Sequence, residues 1–205
     1  MLSIPCNSHG YRVNPVRTTA EQGVVNRLVH RMYAWRGYSM QSSLYRSNNP
    51  NLLTLAVWRA DQVMATITIG CDSAEGLLAD TLYAQELNTL RQSGRIVCEV
   101  TRLAVHPDLR SEGAVNTLFR VAFAYGREKF GGTDAVIEVN PRHVRFYQRR
   151  FGFQLIGKQR QCPRVKAPAV LLHQTLDGFM IHGVADYPDG LPEEWSVNPP
   201  LAEAV

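Results

Sequence analysis

Glu99-Val-Thr101-Arg102-Leu-Ala-Val105 and, further along, Asn140-Pro-Arg-His-Val-Arg-Phe146-Tyr147-Gln-Arg-Arg-Phe151-Gly152-Phe153 decide how this chain folds. The first segment closes residues 96–105, a run apolar enough for a central strand, and His106-Pro107 stops it because proline brings no N–H to a ladder. From 111 to 130, Val115, Leu118, Phe119, Ala122 and Phe123 recur at helical spacing, predicting a long amphipathic helix closed by Gly131-Gly132. Residues 135–139 read as a short buried strand. Pro141 suits the first turn of a helix running to Phe151, which Gly152 ends.

Working outward, residues 11–16 alternate as a first strand. Thr18 or Thr19 can cap a helix over 20–35, with Val24, Leu28, Arg31 and Trp35 along one face and Gly37 at its end. Residues 52–58 and 63–70 flank a tight turn, giving a β-hairpin. Residues 77–91 are helical until Ser93-Gly94, and 153–157 and 169–176 are two further strands. The order predicts an α/β fold with a mixed central β-sheet and helices on both faces. One domain over 1–176 is expected, followed by an acidic, Pro-containing tail over 177–205.

At 205 residues and 45% hydrophobic, the chain is long enough for one substantial core. No run approaches the roughly 20 apolar residues of a membrane span, and Pro5, Asn7, Ser8 and His9 interrupt any secretory h-region, so a cytoplasmic protein without integral membrane contact is expected. Cys6, Cys71, Cys98 and Cys162 form no CxxC pair and have no histidines at ligand spacing, which points to free thiols and to no metal site. The formal charge of +4 is uneven: residues 91–166 hold 15 of the 22 Lys/Arg and 6 of the 18 Asp/Glu, whereas 177–205 hold six acids and no base. Such a basic segment suits a phosphate, an acidic carrier protein or nucleic acid, or is a solvated helix face. No zinc-finger, homeodomain or aromatic RNA-binding pattern is present, so nucleic acid is not expected.

Arg110-Ser-Glu-Gly113-Ala-Val115 sits where the central strand gives way to the long helix. Free N–H groups there would face an anion, or the segment is an ordinary turn with a permissive glycine. With the 140–153 segment, it resembles the GCN5-related N-acetyltransferase superfamily. In that fold the central strand splays from its parallel neighbour to admit a pantetheine arm, and an Arg/Gln-x-x-Gly-x-Gly/Ala loop holds pyrophosphate. Arg110 and Gly113 match, while Val115 takes the last small position. Residues 99–105 with 140–153 resemble, more closely, the N-acyl amino acid synthases, relatives of the acyl-homoserine-lactone synthases. Arg31-Met-Tyr33-Ala-Trp35-Arg36-Gly37-Tyr38 is similar to the Arg-aromatic-Gly-aromatic cluster bordering their active sites.

The resemblance implies an N-acyltransferase that moves a long-chain acyl group from an acyl carrier protein thioester to the α-amino group of an amino acid. Phosphopantetheine on a carrier protein bears one phosphate and no nucleotide, so the Val115 departure matters less there than for acyl-CoA. Catalytic candidates are Glu99 as base, Arg102 brought to it by a bulge, and Tyr147 bonding or protonating the departing thiolate; the alternatives are structural ion pairs of Glu99 and Arg102 with other residues, and a Tyr147 that only packs beside pantetheine. Backbone N–H groups of Leu103, Ala104 and Val105 would hold the oxyanion and pantetheine, with Arg110, Gly113 and Asn140 on the phosphate and pantetheine amides. Arg31, Tyr33 and Tyr38 would border the acceptor, whose carboxylate has Arg31, Arg36 and Arg102 to choose from. His106 and His143 are read as incidental. No permanently bound cofactor is expected. The alternatives are a conventional acetyl-CoA-dependent N-acetyltransferase of a small amine or protein, and a non-catalytic acyl- or CoA-binding module.

Overall fold

The computed structural model describes residues 4–5, 10–38, 49–110 and 112–181. Thr18, rather than Thr19, caps the first helix: its Oγ1 accepts from Glu21 N at 3.2 Å, and Glu21 Oε2 accepts from Thr18 N at 3.1 Å. This helix, α1 (Thr19–Trp35), buries Val25, Leu28, Val29 and Met32. The inward stripe is therefore not the expected one. An all-apolar i, i+3, i+4, i+7 face is available beside it, and turning Arg31 inward would desolvate a charge, so Arg31 faces solvent and Trp35 is 73% exposed.

Among the described residues, eight strands form one sheet in the order β1-β2-β3-β4-β5-β6-β8-β7. They are β1 (Ile4–Pro5), β2 (Tyr11–Pro15), β3 (Leu52–Arg59), β4 (Gln62–Cys71), β5 (Val97–Val105), β6 (Asp134–Val139), β7 (Gln154–Cys162) and β8 (Ala167–Thr175). Of these described strands, β5 and β6 pair in parallel and every other neighbouring pair is antiparallel. Strand β7 outruns its expected end at Gly157 because the glycine marks an irregularity, not a stop. A Cβ there would stand 2.7 Å from the Tyr83 ring and from Leu171 Cβ, and the ladder shifts register on either side.

Helices cover both faces, as the sequence order implied. On one, α3 (Glu112–Glu128) contributes Leu118, Phe119, Ala122 and Phe123 to a core with Cys98, Val100, Ala135 and Ile137. On the other lie α1, against Ala56, Val63 and Ala104, and α2 (Asp80–Gln92), whose Tyr83 and Leu87 meet Val97, Val136 and Leu171. The alternation of these strand residues between clusters assigns the faces. Helix α4 (Val144–Phe151), entered through a 3-10 turn at Pro141–His143 and ended by left-handed Gly152, adds Tyr147 and Phe151 to the α3 side.

The packed body does not stop at residue 176. Leu176–Ile181 form a short helix, α5, and Phe179, fully buried, packs on Phe123 with ring centroids 4.1 Å apart. The acidic composition beyond Asp177 masked this apolar anchor. The expected tail after Ile181 lies outside the described residues.

Candidate active site

Two departures from regular sheet open the site. The β5–β6 pairing consists of Val97↔Asp134, Cys98↔Ala135, Glu99↔Val136 and Val100↔Ile137, although β5 continues to Val105 and β6 to Val139. The strands part beyond Val100. On the opposite edge, Thr66↔Ala104 and Thr68↔Thr101 leave one extra β5 residue between them, and Arg102 has φ +54°. That is a β-bulge, and it inverts the side-chain alternation, so Glu99 and Arg102 share the α1/α2 face.

A cavity of about 920 Å³ occupies the gap. Val115, Asn116, Phe146 and Tyr147 line it from the α3/α4 side, and Tyr33, Leu78, Glu99, Glu138 and Arg164 from the other. It thus reaches both faces of the sheet. Its inner wall carries a chain of buried polar groups. Glu99, 4% exposed, accepts from Leu78 N at 2.7 Å and Ala79 N at 3.0 Å. These N–H groups lie just ahead of α2, which begins at Asp80, not at residue 77, with Asp80 Oδ2 accepting from Leu77 N at 2.7 Å. Arg164 donates to the Leu78 carbonyl at 2.7 Å and to Glu138 Oε2 at 2.6 Å. Burial pushes the Glu99 carboxyl up to about 7, against the downward pull of the Leu78 N–H and the Arg164 charge.

Arg102 lies on the right face and lines the cavity, but its guanidinium donates to Asn26 Oδ1 on α1, and the cation acting on Glu99 is Arg164. Leu103 and Val105 line the cavity as expected. Ala104 does not: its side chain packs with α1, and its amide turns toward β4, since His106 N donates to Met64 O at 2.7 Å and amides alternate along an antiparallel ladder. The same alternation points the Leu103 and Val105 N–H groups into the gap. Arg110 and Gly113 are exposed and outside the cavity wall, where Val115 and Asn116 stand instead. Arg31 is likewise away from the wall.

Tyr147 is 7% exposed, edge-on to Phe119 and Phe153, and burial raises its hydroxyl above the usual tyrosine range. Asn140 lines the cavity while capping the 3-10 turn, with Oδ1 accepting from Arg142 N at 3.2 Å and Nδ2 donating to Pro168 O at 3.2 Å. Tyr33 and Tyr38 meet edge to face at 5.9 Å, and Arg142 donates to the Tyr38 hydroxyl at 2.9 Å, which builds the rim. His106 is a turn residue, its Nδ1 accepting from Asp108 N at 3.1 Å. His143, by contrast, lines the cavity; burial, then Arg142 and Arg36, hold its pKa below the usual value, and Arg142 Nε donates to its Nε2 at 3.2 Å. Leu78, Glu138 and Arg164 escaped sequence reasoning. Glu138 was the readable signal, because a carboxylate inside a buried strand requires a partner.

Solved structures share this architecture. Escherichia coli ElaA superimposes with a TM-score of 0.59 at 13% identity, over 79% of this chain and 98% of that one. An N-acetyltransferase fold from Lactobacillus plantarum gives 0.60 at 14% identity, over 82% and 99%. The chain has the GCN5-related N-acetyltransferase fold and is an N-acyltransferase. Within that class it belongs to the family of the N-acyl amino acid synthase FeeM, whose family model matches residues 24–175. The structure of FeeM from uncultured soil microbes is similar with a TM-score of 0.78 at 25% identity, over 84% of this chain and 95% of that one. No curated protein matches. No helix among the described residues is long and apolar enough to cross a membrane.

Proposed function

We propose that this N-acyltransferase draws a long acyl chain from an acyl carrier protein thioester and places it on the α-amino group of an amino acid. The observation that carries the reading is Glu99, buried at the waist of a cavity that reaches both faces of the sheet. Donor and acceptor can enter from opposite faces and meet there.

An α-ammonium must lose a proton before it attacks, and a carboxyl titrating at about 7 is poised to take it. The neutral amine adds to the thioester carbonyl, and the oxyanion meets the Leu103 and Val105 N–H groups. Collapse breaks the C–S bond. The nitrogen's second proton passes to the departing sulfur, which leaves as a thiol on the side where the Tyr147 hydroxyl lies, and Glu99 releases the first proton to solvent.

Val115 in the cavity wall, with Arg110 outside it, favours a donor whose head carries no pyrophosphate. The exposed basic side chains of α4, Arg145, Arg149 and Arg150, together with half-exposed Phe146, suit an acidic carrier protein at the mouth. Purified protein with acyl carrier protein thioester and mixed amino acids should form acyl amino acids, read by mass spectrometry, and Glu99→Gln should suppress them. Product made from acetyl-CoA and not from the carrier thioester would replace this reading with an ordinary acetyltransferase.

A further inference from the structure

We propose that Cys71 and Cys98 form a covalent modification site, a dithiol that a peroxide converts to a reversible cross-strand disulfide. The two residues stand directly opposite each other on antiparallel β4 and β5. Asp72 N donates to Val97 O at 2.9 Å, whereas Cys71 N is turned to the other neighbour and donates to Asn51 O at 2.8 Å. Cys71 and Cys98 are therefore a non-hydrogen-bonded pair, the kind whose Cα atoms approach to about 4.5 Å with side chains close together. That spacing falls within the roughly 4.4–6.8 Å a disulfide spans.

Both side chains point to the α3 side of the sheet, where Cys98 is part of the core and Cys71 packs against it. Both lie beneath the turn that follows α3. Cys71 Sγ lies 3.9 Å from the Phe130 carbonyl as a donor, and a Cβ on Gly132 would stand 2.6 Å from Cys98 Sγ. Glycine at 132 thus makes room for a sulfur. Exposure separates the roles: Cys98 is fully buried and Cys71 is half-buried. The neighbouring Cys98 thiol lowers the Cys71 pKa, while Cys71 and burial raise that of Cys98, so the reachable sulfur is the one that ionises more readily.

The chemistry balances with hydrogen peroxide as oxidant. The Cys71 thiolate attacks one peroxide oxygen, an S–O bond forms, the O–O bond breaks, and the leaving hydroxide takes a proton to become water. The Cys98 sulfur then attacks the Cys71 sulfenic acid. The S–S bond forms, the S–O bond breaks, and the oxygen departs with the Cys98 proton as a second water. Two thiols are oxidised and one peroxide is reduced. Gly70↔Glu99 is the next rung of the ladder, so the crosslink fixes the strand one residue from Glu99.

The full chain should be treated with hydrogen peroxide and mapped by mass spectrometry of non-reduced peptides. The expected result is a crosslinked 71–98 peptide, loss of two of the four thiols, and recovery of both with dithiothreitol. Cys162→Ser should oxidise as the unmodified chain does, and Cys71→Ser should not crosslink. A crosslink between any other pair, sulfinic acid at Cys71 without a crosslink, or an unchanged thiol count would overturn the proposal. The map of the unmodified chain decides the matter even where a variant folds poorly.

Discussion

Arg164 and Glu99 are joined through one peptide unit: the guanidinium donates to the Leu78 carbonyl at 2.7 Å, and the Ala79 N–H of that same unit donates to Glu99 Oε1 at 3.0 Å. The same guanidinium holds Glu138 at 2.6 Å, with side chains only 17% and 9% exposed. Arg164→Met would strand Glu138 as a buried, unpaired carboxylate at a cost of about 3 kcal/mol. Chemical denaturation should register that loss, and adding Glu138→Gln should restore most of it. The single variant should also titrate Glu99 at higher pH, because the nearest attractive charge is gone.

Activity should follow the ionisation of Glu99. With a carboxyl titrating at about 7, kcat/KM for the amine should rise through neutral pH before any alkaline limb. In Glu99→Gln that acid limb should vanish along with most of the rate. A pH–rate profile of Glu99→Gln that kept the limb would assign it to another group, and neutral His143 in the cavity wall would be the first to test.

The same shift has a consequence for folding. Glu99 is raised from about 4.5 to about 7, so the folded state holds a proton that the unfolded chain has released. Between those values stability falls as pH rises, by on the order of 3 kcal/mol when 1.4 kcal/mol is taken per unit. The contribution is complete below 4.5 and gone above 7. Urea midpoints at pH 5.5 and pH 8 should differ in that direction, and glutamine, uncharged throughout, should remove this part of the slope.

How legible the site was depended on which interactions are local. The central strand, the long helix and the Gly152 stop follow from periodicity and proline, and the structure keeps them. The expected bulge also exists, at Arg102. Its result differs, because the guanidinium meets Asn26, 76 positions away in the chain, and no periodicity encodes that encounter. Arg164 was invisible for the same reason: the β7–β8 hairpin, carried past Gly157 by its register shifts, brings the Cys162-Pro163-Arg164 turn over Leu78, just ahead of α2. Arg110 and Gly113 show the converse, a local pattern present in sequence whose residues stand outside the cavity wall.

Helix α4 offers the test that separates the two donors. It presents Arg145, Arg149 and Arg150 at the mouth of the cavity around half-exposed Phe146 and contains no acidic residue, and Arg150 also donates to Asn116 Oδ1 at 3.1 Å. Arg149→Glu, which leaves the Arg150 contact intact, should raise KM for an acyl carrier protein thioester about tenfold at low salt with little change in kcat, since rim charges govern encounter more than chemistry. Added salt should narrow the gap, because exposed charges are screened within about 10 Å at 0.1 M. A short pantetheine thioester, which has no acidic protein attached, should react equally well with both forms. Equal losses with the carrier and the short thioester would place Arg149 at the reacting end of the donor instead of at a docking surface.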